Sequence, residues 1–545
     1  MTSRRAGLAA LAGLAVAAAL PAPASAARFA IGVRTTAAIP ALQRALGPGT
    51  ESLAPLPVVV VERATAPRLR GLPGATYVER LGARTLSFES NDPLALEQWH
   101  LTANRAFDFW PELPLLPPVR VAVIDSGIDA GHPDLKDRIV DAKSFVGTSV
   151  REDTTGHGTF VAGLIGATID NAEGVAGMAP SAELLIAKVV DEDGSIDIES
   201  EARAIRWAVD AGARVINMSL GGVRDPRDAK RDTYSPLEEA AIAYATRNGV
   251  VVVAAVGNSD AAPAQPWPFA SYPAALPHVL GVSALARNGS SPAFSNRDKI
   301  FNDLAAPGQG LLSTFPRALT APFKECSEQG YSSCGPEDYR EAEGTSFAAP
   351  QVSAAAAALI ALRPALRPEQ VTALLTGTAA DVNAATGCRA CGFRRDALTG
   401  WGRLDVNAAL RALDAGSVPA ADAREPNDDL GAKAAPVWGP IQRLQATLDY
   451  WDDQNDVYAV RLRRGQPFYA SVRGPAGTDT NLIVWRPGAK SIDDLDSLGR
   501  VAAQSARPGA REYLQYRAPA SGTYYVQVKL GSRGSGRYKL TIVKA

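Results

Sequence analysis

Hydrophobic residues in the middle of the chain form short continuous runs separated by stretches with helical spacing. The runs are rich in valine and isoleucine and predict strands buried on both faces; they lie at residues 119–124, 184–190, 214–220, 250–256 and 279–284. Apolar residues with helical spacing follow at 196–211 and 236–247. Strands that alternate with helices indicate a parallel sheet with helices on both faces. We therefore predict an α/β fold for residues 91–416.

The pattern changes on both sides of this region. Residues 27–90 contain two strand-like runs and a short helical segment, which predict a small α+β unit. Residues 417–426 are a linker of small residues and proline. Residues 427–545 show short strands of aromatic and β-branched residues between glycine and proline turns, a pattern typical of a β-sandwich. Several folding units agree with a length of 545 residues, which is too long for one compact core.

The first 26 residues are typical of a signal peptide. Arg4 and Arg5 precede an apolar run of 15 residues, and small residues at 24–26 provide a cleavage site. The alternative is a membrane anchor, but the run is short for a bilayer span. We expect a secreted, extracellular protein with no further membrane span, exported by the general or the twin-arginine route.

Charge and cysteine content narrow the function further. The 56 basic residues are balanced by 57 acidic ones and are scattered, which excludes a nucleic-acid-binding stripe. The even count of four cysteines in an exported chain favours disulfides, and we predict the local pairs Cys326–Cys334 and Cys388–Cys391. A four-thiolate zinc site is the competing interpretation, although the first pair does not have zinc-knuckle spacing.

Three short motifs place an acid, a base and a nucleophile along the chain in the order Asp125, His157, Ser346. Asp125 ends a predicted strand, His157 stands between two glycines, and Ser346 begins a predicted helix. A serine hydroxyl becomes a nucleophile beside a histidine base, which a carboxylate orients. Asn258 ends another strand at the same sheet edge, and with the Ser346 N–H it would bind an oxyanion. These four are the predicted catalytic residues.

These motifs, together with residues 217–222, 271–275 and 304–308, resemble the subtilisin-like serine proteases, the subtilases, over residues 99–410. The resemblance implies a subtilisin-like fold and hydrolysis of peptide bonds through an acyl-enzyme. It also implies two substrate-flanking segments, formed by Ser219, Leu220 and Gly221 and by Ala254, Ala255, Val256 and Gly257. Residues 27–90 look like the family's propeptide, an intramolecular inhibitor and chaperone that is removed by autoprocessing. Residues 427–545 look like a bacterial pre-peptidase C-terminal domain.

Three positions depart from the commonest family pattern. Phe160 and Phe347 replace the usual histidine and methionine beside the base and the nucleophile, and Val256 replaces an alanine. None of the three replacements removes a catalytic group, so we expect them to change the shape of the substrate pocket rather than the chemistry. We expect a monomer that acts on proteins or peptides with broad specificity and a mild preference for a bulky apolar residue before the cut.

The resemblance further implies a structural calcium ion, with Asp134 and Asn171 as side-chain ligands and backbone carbonyls completing the site. A plain Asx turn is the alternative there. A second acidic cluster is predicted as a solvated strand edge rather than as another calcium site; it comprises Asp449, Asp452, Asp453 and Asp456.

Two other classes of protein remain to be weighed. A serine esterase would carry Gly-x-Ser-x-Gly and the order Ser, Asp, His, whereas the nucleophile comes last here. A non-catalytic homologue that binds a polymer through its C-terminal sandwich would not need a complete catalytic set. We therefore predict an active serine endopeptidase.

Overall fold

The structure is a computed structural model that describes residues 27–63, 67–81, 88–259, 262–321, 337–492, 497 and 499–545. The predicted signal peptide at 1–26 and the predicted Cys326–Cys334 pair lie outside the described residues. The chain divides into two compact units, Met1–Leu86 and Ser87–Ala545.

The first unit is an antiparallel sheet with one helix packed on it. The strand order is β2-β3-β1-β4, with β1 Ala27–Val33, β2 Thr50–Ser52, β3 Val58–Arg63 and β4 Ala75–Arg80. A 3₁₀ turn at Thr36–Ala38 leads into α1, Ile39–Leu46. Leu42 of the helix and Ile31 and Val59 of the sheet are fully buried together. This unit has its own small hydrophobic core.

The second unit is built around a seven-stranded parallel sheet. Its order is β11-β10-β9-β8-β5-β7-β6. The strands are β5 Val119–Asp125, β6 Ile139–Ser144, β7 Ala182–Lys188, β8 Val215–Met218, β9 Val251–Ala255, β10 Val279–Leu285 and β11 Leu304–Pro307. Successive residues of β5 enter opposite cores, Val121 and Val123 on one face and Ala122 and Ile124 on the other, because side chains alternate along a strand.

Helices cover both faces of this sheet. They are α2 Trp99–Ala103, α3 His157–Gly166, α4 Ile198–Asp210, α5 Pro236–Arg247, α6 Arg317–Thr320, α7 Thr345–Leu362, α8 Pro368–Gly377 and α9 Val406–Asp414, with a 3₁₀ turn at Ala384–Thr386. Helices α3 and α7 pack in one core, and α4 and α5 in the other. A short antiparallel pair, β12 Leu311–Thr314 with β13 Tyr339–Ala342, lies beside α3.

The predicted α/β architecture is confirmed. All five predicted strands and both predicted helices occur, with ends shifted by at most two residues. The two outer strands, β6 and β11, were not predicted. Strand β6 is mostly half-exposed or exposed, and β11 is only four residues long, so neither carries a long apolar run.

The C-terminal part is the predicted β-sandwich. One sheet has the order β14-β16-β21-β18-β19 and the other β15-β22-β17-β20. The strands are β14 Ala435–Val437, β15 Ile441–Asp449, β16 Asn455–Leu462, β17 Pro467–Arg473, β18 Thr480–Trp485, β19 Val501–Ser505, β20 Arg511–Arg517, β21 Gly522–Leu530 and β22 Ser535–Lys544. Residues from both sheets, such as Leu482 and Leu540, share one core.

Two further expectations concern α7 and the cysteines. Among the described residues, α7 is the one helix long and apolar enough to cross a membrane, and 89% of that stretch is buried inside the protein. It is therefore a core helix of the protein, and it is the helix predicted to begin at Ser346. Cys388 and Cys391 form a disulfide, as predicted.

Candidate active site

Three elements bring the predicted catalytic side chains to one edge of the parallel sheet. Asp125 is the last residue of β5, His157 is the first residue of α3, and Ser346 is the second residue of α7. Ligands of open α/β sheets bind beyond the carboxyl ends of the strands. The three side chains therefore lie at the edge of the sheet where ligand-binding sites of this architecture are found.

Asp125 and His157 are joined by a direct hydrogen bond. Nδ1 of His157 lies 2.7 Å from Oδ1 of Asp125, which also accepts a bond from the N–H of Ser126 at 2.8 Å. The Asp125 side chain is 2% exposed, and that of His157 is 31% exposed. A carboxylate acceptor at Nδ1 fixes the imidazole tautomer, which leaves Nε2 as the proton acceptor.

Two carboxylates determine the net shift in the pKa of His157. Burial is the largest single influence and lowers this pKa. The charge and hydrogen bond of Asp125, followed by the charge of Asp153, raise it. The raising influences prevail, so the pKa of His157 lies above its ordinary value.

Ser346 is held by a reciprocal pair of hydrogen bonds with Ser219. The Ser346 hydroxyl donates to the Ser219 carbonyl at 3.1 Å, and the Ser219 hydroxyl donates to the Ser346 carbonyl at 2.6 Å. The second bond exists because Pro350, four residues along α7, has no N–H to donate to that carbonyl. A proline inside the helix thus favours a hydrogen bond between Ser346 and a predicted substrate segment.

The contact between Ser346 and His157 is not formed as a hydrogen bond among the described residues. In ligand-free enzymes such bonds are often long and tighten only with substrate bound. Among the described residues, the Ser346 hydroxyl bonds instead to the Ser219 carbonyl.

Asn258 faces the start of α7 with its amide orientation fixed. Its Oδ1 accepts bonds from the N–H and the hydroxyl of Thr345, both at 3.0 Å. A backbone N–H can only donate, so the oxygen must point at Thr345 and Nδ2 points elsewhere. Nδ2 lies close to Gly344, within 3.4 Å of the place a side-chain carbon would occupy. Among the described residues Nδ2 has no acceptor, so it can donate near the start of α7.

A second carboxylate, Asp153, organises the chain before His157 and was not predicted. Its two oxygens accept bonds from Ser126, Thr155, Gly156 and Thr159 at 2.7–3.2 Å. Asp153 is 5% exposed and stabilises the N-terminus of α3, where unpaired N–H groups favour negative charge. The sequence signal was present, since an acidic residue precedes Thr155-Gly156-His157 in the manner of a helix cap.

Close packing at the start of α3 requires a glycine beside His157. Gly158 approaches the backbone so closely that a side-chain carbon would lie 2.2 Å from the Gly127 carbonyl oxygen. The two aromatic departures from the family pattern form a pair, with the rings of Phe160 and Phe347 4.4 Å apart. The Phe347 ring also lies 5.3 Å from that of His157. Phe160 and Phe347 thus pack against each other beside the base.

The two predicted substrate segments leave the sheet side by side. Residues 219–221 follow β8, and residues 254–257 end β9, its direct neighbour. Ala254 and Val256 are fully buried, whereas Gly257 is half-buried. Gly221 is exposed.

The predicted calcium ligands Asp134 and Asn171 contact each other rather than leaving oxygens free. Nδ2 of Asn171 donates to Asp134 at 3.0 Å, and Oδ1 of Asn171 accepts the N–H of Glu173. The N–H of Val175 and the hydroxyl of Tyr339 also donate to Asp134. A carboxylate whose oxygens already accept hydrogen bonds from several donors is poorly suited to bind a cation. Calcium at this position stays a prediction that the geometry does not favour.

A family model described as "Subtilase family" matches residues 118–402. The chain belongs to the subtilase family. Subtilisin DY of Bacillus licheniformis is 36% identical over 265 residues, which are 48% of this chain and 84% of the relative. Subtilisin BL of Lederbergia lenta is 35% identical over 294 residues, 54% of this chain and 91% of the relative. The major intracellular serine protease of Bacillus subtilis is 38% identical over 245 residues, 44% of this chain and 67% of the relative.

As a subtilase, the protein is a serine endopeptidase that acts on protein or peptide substrates. The resemblance and enzyme class predicted from the motifs are confirmed. The matched range includes Asp125, His157, Asn258 and Ser346, whose individual roles stay predictions. Subtilisins typically bind calcium, and this subtilase has acidic clusters able to hold a metal ion.

Replacing Asp125 by asparagine should change both the rate and its pH dependence. Asp125→Asn removes the tautomer control, so we expect kcat to fall about 10⁴-fold. The ion pair that raises the pKa of His157 is also lost, so the acid limb of the kcat profile should move to lower pH. Peptide hydrolysis assayed across pH 5–9 measures both kcat and the position of its acid limb. The variant Asp137→Asn, at an exposed position, is the control. An unshifted acid limb would contradict this account of the pKa.

Asp153 should act as a positioning residue. Asp153→Asn removes the charge and leaves one acceptor oxygen, so we expect kcat to fall by the order of 10²-fold through misplacement of His157. The acid limb should also move to lower pH, because the Asp153 charge raises the pKa of His157. Ser126→Ala is the matched control, since it removes hydrogen bonds to Asp153 and Gly158 but no charge. Ser126→Ala should lower kcat without moving the acid limb of the pH profile. Equal pH profiles for the two variants would refute the electrostatic role of Asp153.

Proposed function

We propose that this subtilase is a secreted endopeptidase in which Ser346 is the nucleophile, His157 the general base and Asp125 the orienting carboxylate. The observation that carries the proposal is the 2.7 Å contact between Asp125 and His157, at the sheet edge where α7 presents Ser346. Autoprocessing, described below, provides its test.

The proposed reaction begins with a proton transfer to Nε2 of His157, because Nδ1 is bound to Asp125. Ser346 Oγ then bonds to the carbonyl carbon of the substrate, and the imidazolium protonates the leaving amine. This breaks the peptide bond and leaves an acyl-enzyme. Water, activated by the same histidine, hydrolyses the ester and restores Ser346.

The oxyanion of each tetrahedral intermediate would be bound by two donors. One is the N–H of Ser346 at the start of α7, where the helix dipole favours negative charge. The other is Nδ2 of Asn258, whose opposite atom is held by Thr345. Fixed donors stabilise developing charge without reorganisation during the reaction.

We propose that residues 1–26 direct export, residues 27–90 act as an intramolecular inhibitor, residues 91–416 form the catalytic domain and residues 417–426 link it to a C-terminal domain at 427–545. Support comes from the separate core of the first unit and from the boundary between Leu86 and Ser87. The basic and apolar pattern of residues 1–26 supports export. The processed enzyme would be a monomer.

We propose broad specificity with a mild preference for a bulky apolar residue before the cut. Ala254 and Val256 of the substrate segments are fully buried, and the more exposed Gly221 and Gly257 have no side chain, so these segments would present mainly backbone groups. Extended peptides can then bind by strand addition with little side-chain selection. Ser219, Leu220, Gly221, Ala255 and Gly257 would complete this surface.

Self-processing tests the nucleophile directly. We expect the intact mass of the exported wild type to correspond to a chain that begins near residue 90, whereas Ser346→Ala retains the leader. The exposed Ser417→Ala is the control and should be processed like the wild type. Equal trimming of wild type and Ser346→Ala would assign the cut to another protease and remove this support.

Asn258 should contribute to the transition state rather than to substrate binding. Asn258→Ala is expected to lower kcat by about 10²–10³-fold with little change in KM, a magnitude that itself comes from a member of this family. Thr345→Val is the control, because it removes one bond to Asn258 and leaves Nδ2 in place. We expect less than a tenfold loss for it, measured on the same peptide. Similar losses in both variants would mean that Asn258 only supports the helix.

A further inference from the structure

One lysine is buried beside the active site and plays no part in the proposed reaction. Lys188 is the last residue of β7 and is 2% exposed. Among the described residues, its ammonium group bonds to two backbone carbonyls and forms no ion pair with a carboxylate. A lysine is almost never fully buried without a partner of opposite charge, because removing the charge from water is costly. The burial of Lys188 therefore requires an explanation.

Lys188 is the direct neighbour of Asp125 in the parallel sheet. The register pairs the two residues, and the N–H of Val189 donates to the Asp125 carbonyl at 2.9 Å. Val123 of β5 and Ile186 of β7 both face the core that contains α3. Because side chains alternate along a strand, Asp125 and Lys188, two residues further on, lie on that same face. The two side chains thus start one strand spacing apart, which is about 4.8 Å.

The Lys188 side chain passes Gly127 and reaches residues 149–152. Its Nζ donates to the carbonyl of Glu152 at 2.9 Å and to that of Ser149 at 3.3 Å. A side-chain carbon at Gly127 would lie 3.3 Å from Cδ of Lys188, so the glycine leaves room for the lysine stem. The ammonium group therefore connects the end of β7 to residues 149–152.

Residues 149–152 lead directly into Asp153, which holds the start of α3. The Asp153 carboxylate accepts bonds from the N–H groups of Gly156 and Thr159 at 2.9 Å and 2.8 Å. These two residues flank His157 in the sequence. A displacement of residues 149–152 would therefore move Asp153 and, with it, the backbone that carries His157.

Lys188 also supplies positive charge beside two buried carboxylates, those of Asp125 and Asp153. In the part of the chain that the structure describes, His157 is the one basic side chain that forms an ion pair with either of them. A histidine that acts as a base must be uncharged before it accepts a proton, so it does not balance their charge in that state. Buried charge is costly unless it is compensated. The ammonium group on the neighbouring strand provides charge of the opposite sign.

We propose that Lys188 is a positioning residue of the active site, which holds the segment before Asp153 and balances the buried charge of Asp125 and Asp153. This inference rests on the proposed roles of Asp125 and His157. The two carboxylates raise the pKa of His157, and the Phe347 ring that faces it from α7 carries no charge. A cation nearby opposes that rise, because it disfavours the protonated imidazole. Lys188 would thus keep His157 able to accept a proton down to lower pH.

The test compares the parent enzyme with Lys188→Met, which keeps the apolar stem but removes the charge and the donors. We expect kcat to fall about 10- to 100-fold with little change in KM, because a misplaced base slows the reaction without removing a substrate contact. The acid limb of the kcat profile should move to higher pH, opposite to the shift expected for Asp153→Asn. Peptide hydrolysis across pH 5–9 measures both. The variant Lys136→Met, at an exposed position, is the control and should match the parent.

Two further variants separate the charge of Lys188 from its shape. Lys188→Arg keeps the charge, so its acid limb should stay at the pH of the parent even where the larger side chain lowers kcat. Lys188→Gln is neutral, so its acid limb should move as in Lys188→Met. The melting temperature shows which variants fold. If both neutral variants fail to fold while Lys188→Arg folds, the role of Lys188 is purely structural and the proposal is overturned.

Titration with a fluorophosphonate counts the active sites in each preparation, so that kcat refers to folded, processed enzyme. An acid limb that stays in place in the neutral variants would overturn the charge-balancing role, and a kcat equal to that of the parent would overturn the positioning role. A parent enzyme that takes no label on Ser346 would instead contradict the proposed function. Labelling of Ser346 in the parent, with unchanged kinetics in the variants, would contradict the role of Lys188 alone.

Discussion

The hydrogen bond between Asp125 Oδ1 and His157 Nδ1 is the interaction on which the rest of the active site depends. Asp125 ends β5, an interior strand that pairs with β7 on one side and β8 on the other, and Asp125 itself pairs with Lys188 of β7. That carboxylate sets the tautomer of His157 and, together with Asp153, keeps its pKa above the ordinary value despite burial. With Nδ1 occupied, Nε2 is the nitrogen that can accept a proton in the proposed role of His157 as base for Ser346.

The surrounding structure holds these groups through backbone chemistry. Asp153 accepts hydrogen bonds from N–H groups at the start of α3 that have no partner within the helix. These bonds fix the backbone around His157. At the start of α7, the missing N–H of Pro350 leaves the Ser346 carbonyl to Ser219. Both interactions involve backbone groups near the start of a helix that have no hydrogen-bond partner within that helix. The proposed base and nucleophile are thus positioned by two helix N-termini, and the proposed orienting carboxylate by one strand end.

Much of this arrangement could be predicted from the sequence, because buried strands and short catalytic motifs are local signals. The strand before Asp125 and the helix after Ser346 were located within one or two residues. What could not be predicted depends on contacts between distant segments. Tyr339, 205 positions away in the sequence, donates a hydrogen bond to Asp134 and so occupies an oxygen of the predicted calcium ligand. The burial of Asp453 and Asp456, at a strand edge predicted to be solvated, likewise depends on the linker folding back over the sandwich.

The most direct measurement of the central claim is active-site labelling with a fluorophosphonate, followed by peptide mapping by mass spectrometry. The account predicts one label per processed chain, on Ser346, and loss of labelling in His157→Ala. Label on a different serine, or labelling of Ser346 that does not depend on His157, would contradict the assignment of base and nucleophile.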